Sequence, residues 1–220
     1  MSIATHECAS KRTVENFENF KVYKTILGTD QLFITVSTTN IDQNIVQQSS
    51  DVYSELTKTI KDGGFEIVHE RIFASLDFQN EILGERAKVY KLNDIASDLP
   101  FTFIQGNPIS GKGLAGIQIR AFRSIAPGNA LETIFHDDKA VGRKWSRNGT
   151  TFVMLQNIFG NPQSVDRYSE TCDMFDRAQE ILQQENLSFK NVLRTWIYLA
   201  NILDWYDEFN VVRTKFFKEH

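Results

Sequence analysis

Two stretches of this chain share one layout. Residues 51–90 and 173–217 each run as amphipathic helix, polar break, apolar strand and second helix. Phe65, Val68, Ile72 and Phe73 of the first align with Phe189, Val192, Trp196 and Ile197 of the second. After a small gap, Arg86 and Tyr90 align with Arg213 and Phe217. A repeat of this length restricts the chain to folds that use one supersecondary unit twice. A functional site must then be sought in the first copy, in the second, or between them.

Turn and cap signals bound the elements. Residues 1–18 are polar and read as a loosely held N-terminal segment. Residues 20–27 and 31–37 alternate like strands, with Gly28-Thr29-Asp30 as the hairpin turn between them. Asn40 and Asp42 are N-cap candidates for a helix whose apolar positions are Ile45, Val52, Tyr53, Leu56 and Ile60. Gly63-Gly64 ends it. A strand over 65–74 follows, then a helix capped by Asp77 and running to Lys91, then strands over 101–105 and 113–122. The order β-β-α-β-α-β-β predicts an α/β (α+β) two-layer sandwich, with helices on one face of a mixed sheet. The first such domain spans 19–123, and residues 124–129, with Pro127-Gly128, form a linker.

The second domain, 134–220, repeats the order. Strands are expected over 134–145 and 151–158, joined at Asn148-Gly149. A helix over 166–184 should bury Tyr168, Cys172, Phe175, Ile181 and Leu182. A strand over 191–199 and a helix capped by Asp204 complete it. The two closing strands of the first copy have no counterpart before His220. The second sheet is therefore incomplete as given or completed by another chain, and the bare edge would be an aggregation hazard.

Composition narrows the function classes. The hydrophobic share of 41% and 17 Phe residues indicate a core packed largely through aromatic rings. The net charge of −4 gives nucleic-acid binding no basic footprint. The local group Arg143, Lys144, Arg147 reads as a solvated strand end. No apolar run approaches the roughly 20 residues that cross a bilayer, so no membrane role is expected. Cys8 and Cys172 do not form a disulfide framework, which fits a reducing, cytoplasmic setting.

Chemical motifs are sparse. Gly106–Lys112 begins like a phosphate-binding loop, but Gly113 stands where Ser or Thr would hold magnesium, and a strand follows where that motif needs a helix. A hairpin loop is the expectation. His6, His69, His136 and His220 lack metal-ligand spacing, so no metal is expected. His69 reads as a strand-edge residue and 136–138 as an exposed turn. No nucleophile elbow occurs, and neither cysteine has a cationic setting for a thiolate. Arg194, inside the apolar run Val192-Leu-Arg-Thr-Trp-Ile197, could grip a carboxylate with its guanidinium fork. Arg213 on the last helix is a second such candidate.

Residues 191–217, NVLRTWIYLANILDWYDEFNVVRTKFF, resemble the YjgF/RidA (reactive-intermediate deaminase) family. The strand V-x-x-T-x-x-[YF]-[LV], the acidic turn and the helix F-N-x-x-[RY]-x-x-F-F carry the likeness. GTTFVMLQNIFG at 149–160 is similar to the family's second strand, and 99–121 to its closing hairpin. The resemblance implies tandem copies of the fold, homo-oligomers (usually trimers) and ligand clefts between subunits. It also implies cofactor-free hydrolysis of imino or enamino acids to 2-oxo acids and ammonia, or a related hydrolase activity. A ribonuclease role attached to some members meets no basic surface here.

Carried over residue by residue, the family's site is thin. Its carboxylate-binding Arg follows a Pro, where this chain has Pro100-Phe101-Thr102. Its acid corresponds to Gln118, which cannot transfer a proton in that role. Its cleft Tyr falls at Gly142-Arg143, and its cleft Asn is matched by Asn210. Two-domain relatives, the chorismate-hydrolysing enzymes among them, place their site mainly in the C-terminal copy. No catalytic residue is assigned. Asn210, Arg194, Arg213 and Arg143 are the substrate-binding candidates, for a small carboxylate-bearing metabolite. The alternative is a non-catalytic carboxylate-binding or assembly protein of the same fold.

Overall fold

The computed structural model describes residues 10–39, 43–109, 111–124 and 130–220. Asn40, Asp42, Pro127-Gly128, His6 and Cys8 lie outside them. By compactness the chain divides after Gln156, inside the stretch the repeat assigns to the second copy.

The first unit opens with a strand where a loose segment was expected. β1 (Ser10–Asn16) pairs antiparallel with β2 (Phe20–Leu27), Ser10 opposite Leu27 and Asn16 opposite Lys21. The segment is polar because an edge strand exposes both faces, so hydropathy did not reveal it. β2 turns through Gly28, at φ +61°, into β3 (Gln31–Thr38). α1 (Ile45–Asp62) is capped by Asn44, whose Oδ1 accepts from the Val46 amide at 2.9 Å. β4 (Glu66–Ala74) follows. A 3-10 turn over Leu76–Phe78 contains Asp77, which therefore does not cap α2 (Gln79–Leu92). β5 (Thr102–Gln105) and β6 (Leu114–Phe122) complete a six-stranded sheet ordered β1-β2-β3-β6-β4-β5.

β6 inserts between β3 and β4 and runs antiparallel to both, while β5 lies parallel to β4. The 106–113 loop is thus a crossover, not the hairpin its sequence suggested. Its Lys112 pairs with Asp77, and Ser75 Oγ accepts from the Gly113 amide at 2.8 Å. His69 lies on β4, which is internal to the sheet, and not at an edge.

The helices cover one sheet face. Val22, Leu32, Ile34, Val36, Ile72, Ile117 and Ile119 meet Val52, Leu56, Ile60, Ile82 and Val89 in one core. One charge is built into it. The Glu70 carboxylate, fully buried, accepts from Tyr53 at 3.0 Å, Tyr90 at 3.0 Å and Arg86 Nε at 3.0 Å. Arg86 also donates to the carbonyls of Ser97 and Leu99, at 2.8 and 3.1 Å. Every partner lowers the desolvation penalty of the pair. Burial, then the Glu70 charge, pushes both phenols well above their ordinary pKa. Burial works against the Arg86 charge, but Glu70 outweighs it and holds the guanidinium protonated.

β7 (Glu132–His136), β8 (Lys139–Arg147) and β9 (Thr150–Leu155) form a second, antiparallel sheet in the same unit. The single strand expected over 134–145 is split by Asp137 and Asp138, both at positive φ. Asn148-Gly149 makes the next turn as read. Trp145 packs with Val68 and Phe122 between the sheets. The supposed solvated basic group is largely enclosed: Arg143 is 6% exposed and Arg147 bonds the buried Asp30 carboxylate at 2.5 Å.

The second unit holds α3 (Arg167–Gln184), a 3-10 turn over Phe189–Asn191, an extended stretch over 192–199, and α4 (Ile202–Glu219). Asp166 caps α3, accepting from the Ser169 amide at 2.7 Å. α4 starts from Asn201, with Asp204 in its first turn and a kink at Trp205. Phe175 stacks on Phe216 at 4.8 Å, with Phe189 and Phe209 beside it. Tyr168 stays 38% exposed instead of joining that core. The strand expected over 191–199 does not form: the stretch enters no ladder among the described residues. A strand exists only through pairing, so apolar alternation without a neighbour leaves extended chain. In element order, β1-β2-β3-α1-β4-α2 is matched by β7-β8-β9-α3, the extended stretch and α4.

Candidate functional site

Period-two alternation sends every second residue of the first sheet away from the helices. Register then sorts those residues into rows. Tyr23 on β2 faces Thr35 on β3, Thr35 faces Gln118 on β6, Gln118 faces Arg71 on β4, and Arg71 faces Thr102 on β5. The next row is Phe33, Arg120 and His69. Tyr23 and Thr35 are exposed, while Gln118, Arg71 and Thr102 are half-buried. A β-bulge at Val68 separates Ile67 from His69 and turns Val68 toward Trp145.

These rows are cationic. Arg120 Nη2 donates to Gln31 Oε1 at 3.0 Å, and its guanidinium lies 5.4 Å from the Phe33 and Trp145 rings. Burial, then the charge of Arg147, lowers its pKa. His69, 8% exposed, has its pKa lowered to about 4 by burial and then by Arg71 and Arg120. The imidazole is therefore neutral near pH 7. Burial, the larger cause, disfavours any charge there, while the smaller contribution of the neighbouring guanidinium groups favours an anion over a further cation. The rows carry no carboxylate, so they offer hydrogen-bond donors and guanidinium groups but no acid to relay a proton.

The arrangement brings together two positions the sequence named separately. Thr102 and Gln118, standing where the resemblance puts an Arg and an acid, are both cross-strand partners of Arg71. Sequence reading weighed His69 as a strand-edge residue and did not single out Arg71, two positions along the same strand. The signal was present in the alternation: Glu70 belongs to the helix face, His69 and Arg71 to the other. What sequence lacked was the register that sets Arg71 beside Gln118 and Thr102.

The four candidate residues are divided between the chain's two units, Arg143 in the first and Arg194, Asn210 and Arg213 in the second. Arg143 is on β8 of the first. Its Nη1 donates to Thr133 Oγ1 at 2.7 Å, Nη2 lies 3.8 Å from Glu66, and its buried Nε finds no hydrogen-bond acceptor. Burial lowers its pKa, against the pull of Glu66. Asn210 and Arg213 sit one turn apart on α4, Asn210 half-buried and Arg213 exposed. Asn210 lines a shallow hollow with Asp207, Thr214 and Lys218. Arg194 is exposed on the extended stretch, its guanidinium 5.2 Å from the Trp196 ring.

No described helix is long and apolar enough to cross a membrane. No family model matches the chain, and no curated protein matches it by sequence. Among solved structures, a chorismatase superposes with a TM-score of 0.67 at 13% identity, over 91% of this chain and 70% of that one. A Salmonella typhimurium protein described as a candidate translation initiation inhibitor gives 0.39 at 15% identity, over 53% of this chain and 99% of that one. The likeness to the chorismatase is one of architecture and makes the fold YjgF-like, with β1 added ahead of the β-β-α-β-α-β-β order expected for the first copy.

Proposed function

We propose that this protein binds a small carboxylate-bearing metabolite on the face of its first sheet turned away from α1 and α2, without turning it over. One observation carries the reading: Arg71 is flanked in register by Thr102 and Gln118, with Arg120 in the adjoining row. A guanidinium fork with neutral donors beside it suits a carboxylate. An amide in place of the acid removes the group that would move a proton. No cofactor enters the reading. The setting is cytoplasmic, and the assembly is a homo-oligomer, a trimer, as the family resemblance implies.

Isothermal titration against pyruvate, 2-oxobutanoate and chorismate (the compound for which the fold neighbour is named) tests this. Saturable binding of at least one is expected, weakened about 10-fold or more in Arg71→Gln, since a hydrogen bond to a charged group contributes about 1.5–3 kcal/mol. Equal binding by Arg71→Gln, or none by the native chain, overturns the proposal.

A second reading, imine hydrolysis by the C-terminal copy, is favoured by Asn210, which keeps the cleft Asn position half-buried on α4. It expects ammonia from 2-iminobutanoate above the spontaneous rate, lost in Asn210→Ala. Arg194 and Arg213, in the same unit, would be its anion contacts. Turnover abolished by Asn210→Ala would replace the first reading with this one.

A further inference from the structure

β5 accompanies β4 for part of its length, pairing with Arg71 to Ala74. Ahead of Arg71, β4 meets a side chain instead. Gln156, 5% exposed, follows β9, and its backbone amide donates to the Val141 carbonyl of β8 at 2.9 Å. Its Oε1 accepts from the Glu70 amide at 3.2 Å, and its Nε2 donates to the Val68 carbonyl at 3.3 Å. A side-chain amide carries the donor and acceptor of a peptide group. Gln156 therefore bonds β4 as a neighbouring strand does, and both bonds are buried.

The two bonds bracket His69 and span the exit of the β-bulge. Ile67 opposes Ala121 and His69 opposes Arg120, so Val68 is the extra residue. Without a bulge, Val68 would oppose Arg120 and each later residue would step along β6 by one. Glu70 would then meet Gln118, and Arg71 would meet Ile117. The carboxylate would join the cationic rows, and Arg71 would turn toward the helices. A bulge interrupts the regular ladder, so backbone groups near it need other partners. Gln156 satisfies one carbonyl and one amide there.

We infer that Gln156 is a positioning residue: its clamp on Val68 and Glu70 holds the bulged register that turns Arg71 to the binding face and Glu70 to Arg86. Its part in ligand binding rests on the carboxylate reading, whereas its hold on the strand needs no ligand. The amide is specific to this role. A carboxylate has no donor for the Val68 carbonyl, and a thioether of similar length has none either and is a weak acceptor for the Glu70 amide.

The test sets Gln156→Met beside Ile60→Val, a core change beneath the helices that lowers stability without reaching the clamp. Hydrogen exchange at neutral pH should speed the Glu70 amide about 10-fold or more in Gln156→Met relative to the Ile34 amide of β3, and Ile60→Val should move both alike. The His69 imidazole, with a pKa of about 4 in the native register, should titrate by NMR with a midpoint above about 5 in Gln156→Met, circular dichroism showing the chain still folded. Whichever of pyruvate, 2-oxobutanoate and chorismate the native chain binds should lose about 10-fold or more in affinity. Gln156→Asn, whose amide falls one methylene short, covers the case in which Gln156→Met does not fold, and the same shifts are expected of it. Glu70 exchange and His69 titration that match those of Ile60→Val overturn the inference, whatever the ligands do. A native chain that binds none of the three acids removes the carboxylate reading, and the exchange and titration still decide the clamp.

Discussion

Glu70 and His69 are neighbours in sequence and opposites in environment. Glu70 points to the helices, where Arg86, Tyr53 and Tyr90 satisfy it. Arg86→Met leaves that carboxylate buried without its countercharge and is expected to cost about 3–5 kcal/mol, read as a lower urea midpoint at unchanged slope. His69 points to the cationic face, where its folded pKa falls to about 4 from an ordinary 6.5. The unfolded chain therefore binds more protons between those values. This contribution to stability is fully present above about pH 6.5 and is lost as pH falls through 4. The loss is on the order of 3 kcal/mol. Thermal melts from pH 7 to 4 should show the decline, and His69→Gln should flatten it. Neither role was legible from composition, because a strand's two faces alternate residue by residue.

Most elements were legible because their punctuation is local. Gly28, Gly63-Gly64 and Asn148-Gly149 end or turn elements where the sequence said they would. The caps expected at Asp77 and Asp204 fall elsewhere, at Phe78 and Asn201, and the other failures were of pairing. β1 was missed because its polar residues carry no core signal, and 192–199 was overcalled because an apolar pattern alone does not make a ladder. The crossover between β5 and β6 was mistaken for a hairpin because adjacency in sequence suggested adjacency in the sheet. β6 depends on a close approach to β3: a Cβ on Gly116 would fall against the Val36 carbonyl oxygen. Gly116→Ala is therefore expected to destabilise by about 1–3 kcal/mol, measured by chemical unfolding, as the strands must part to admit the methyl group.

At the scale of the whole molecule, the chain divides into two compact units after Gln156, inside the stretch that the sequence repeat assigns to its second copy. The first has an enclosed sheet and buried charge; the second ends in an aromatic helix pair and an extended stretch. Native-state hydrogen exchange should reproduce that contrast, with β4 and β6 amides the slowest and residues 193–199 close to intrinsic rates. Light scattering should return three times the 25.3 kDa chain mass if the proposed trimer forms. A monomeric mass at micromolar concentration would remove the trimer from the reading while leaving the Arg71 titration as its own test.

The sequence by itself determined what depends on neighbours along the chain: the four helices among the described residues, the glycine turns, and the absence of an acid at Gln118. Only the tertiary structure decided what depends on register. It inserted β6 beside β4, set Thr102 and Gln118 against Arg71, enclosed Arg143 and Asp30, and left 192–199 outside any ladder among the described residues. The reason is physical. Turn and cap energies act over a few residues, whereas a β-ladder joins residues tens of positions apart, and one step of register exchanges the faces of every side chain in a strand.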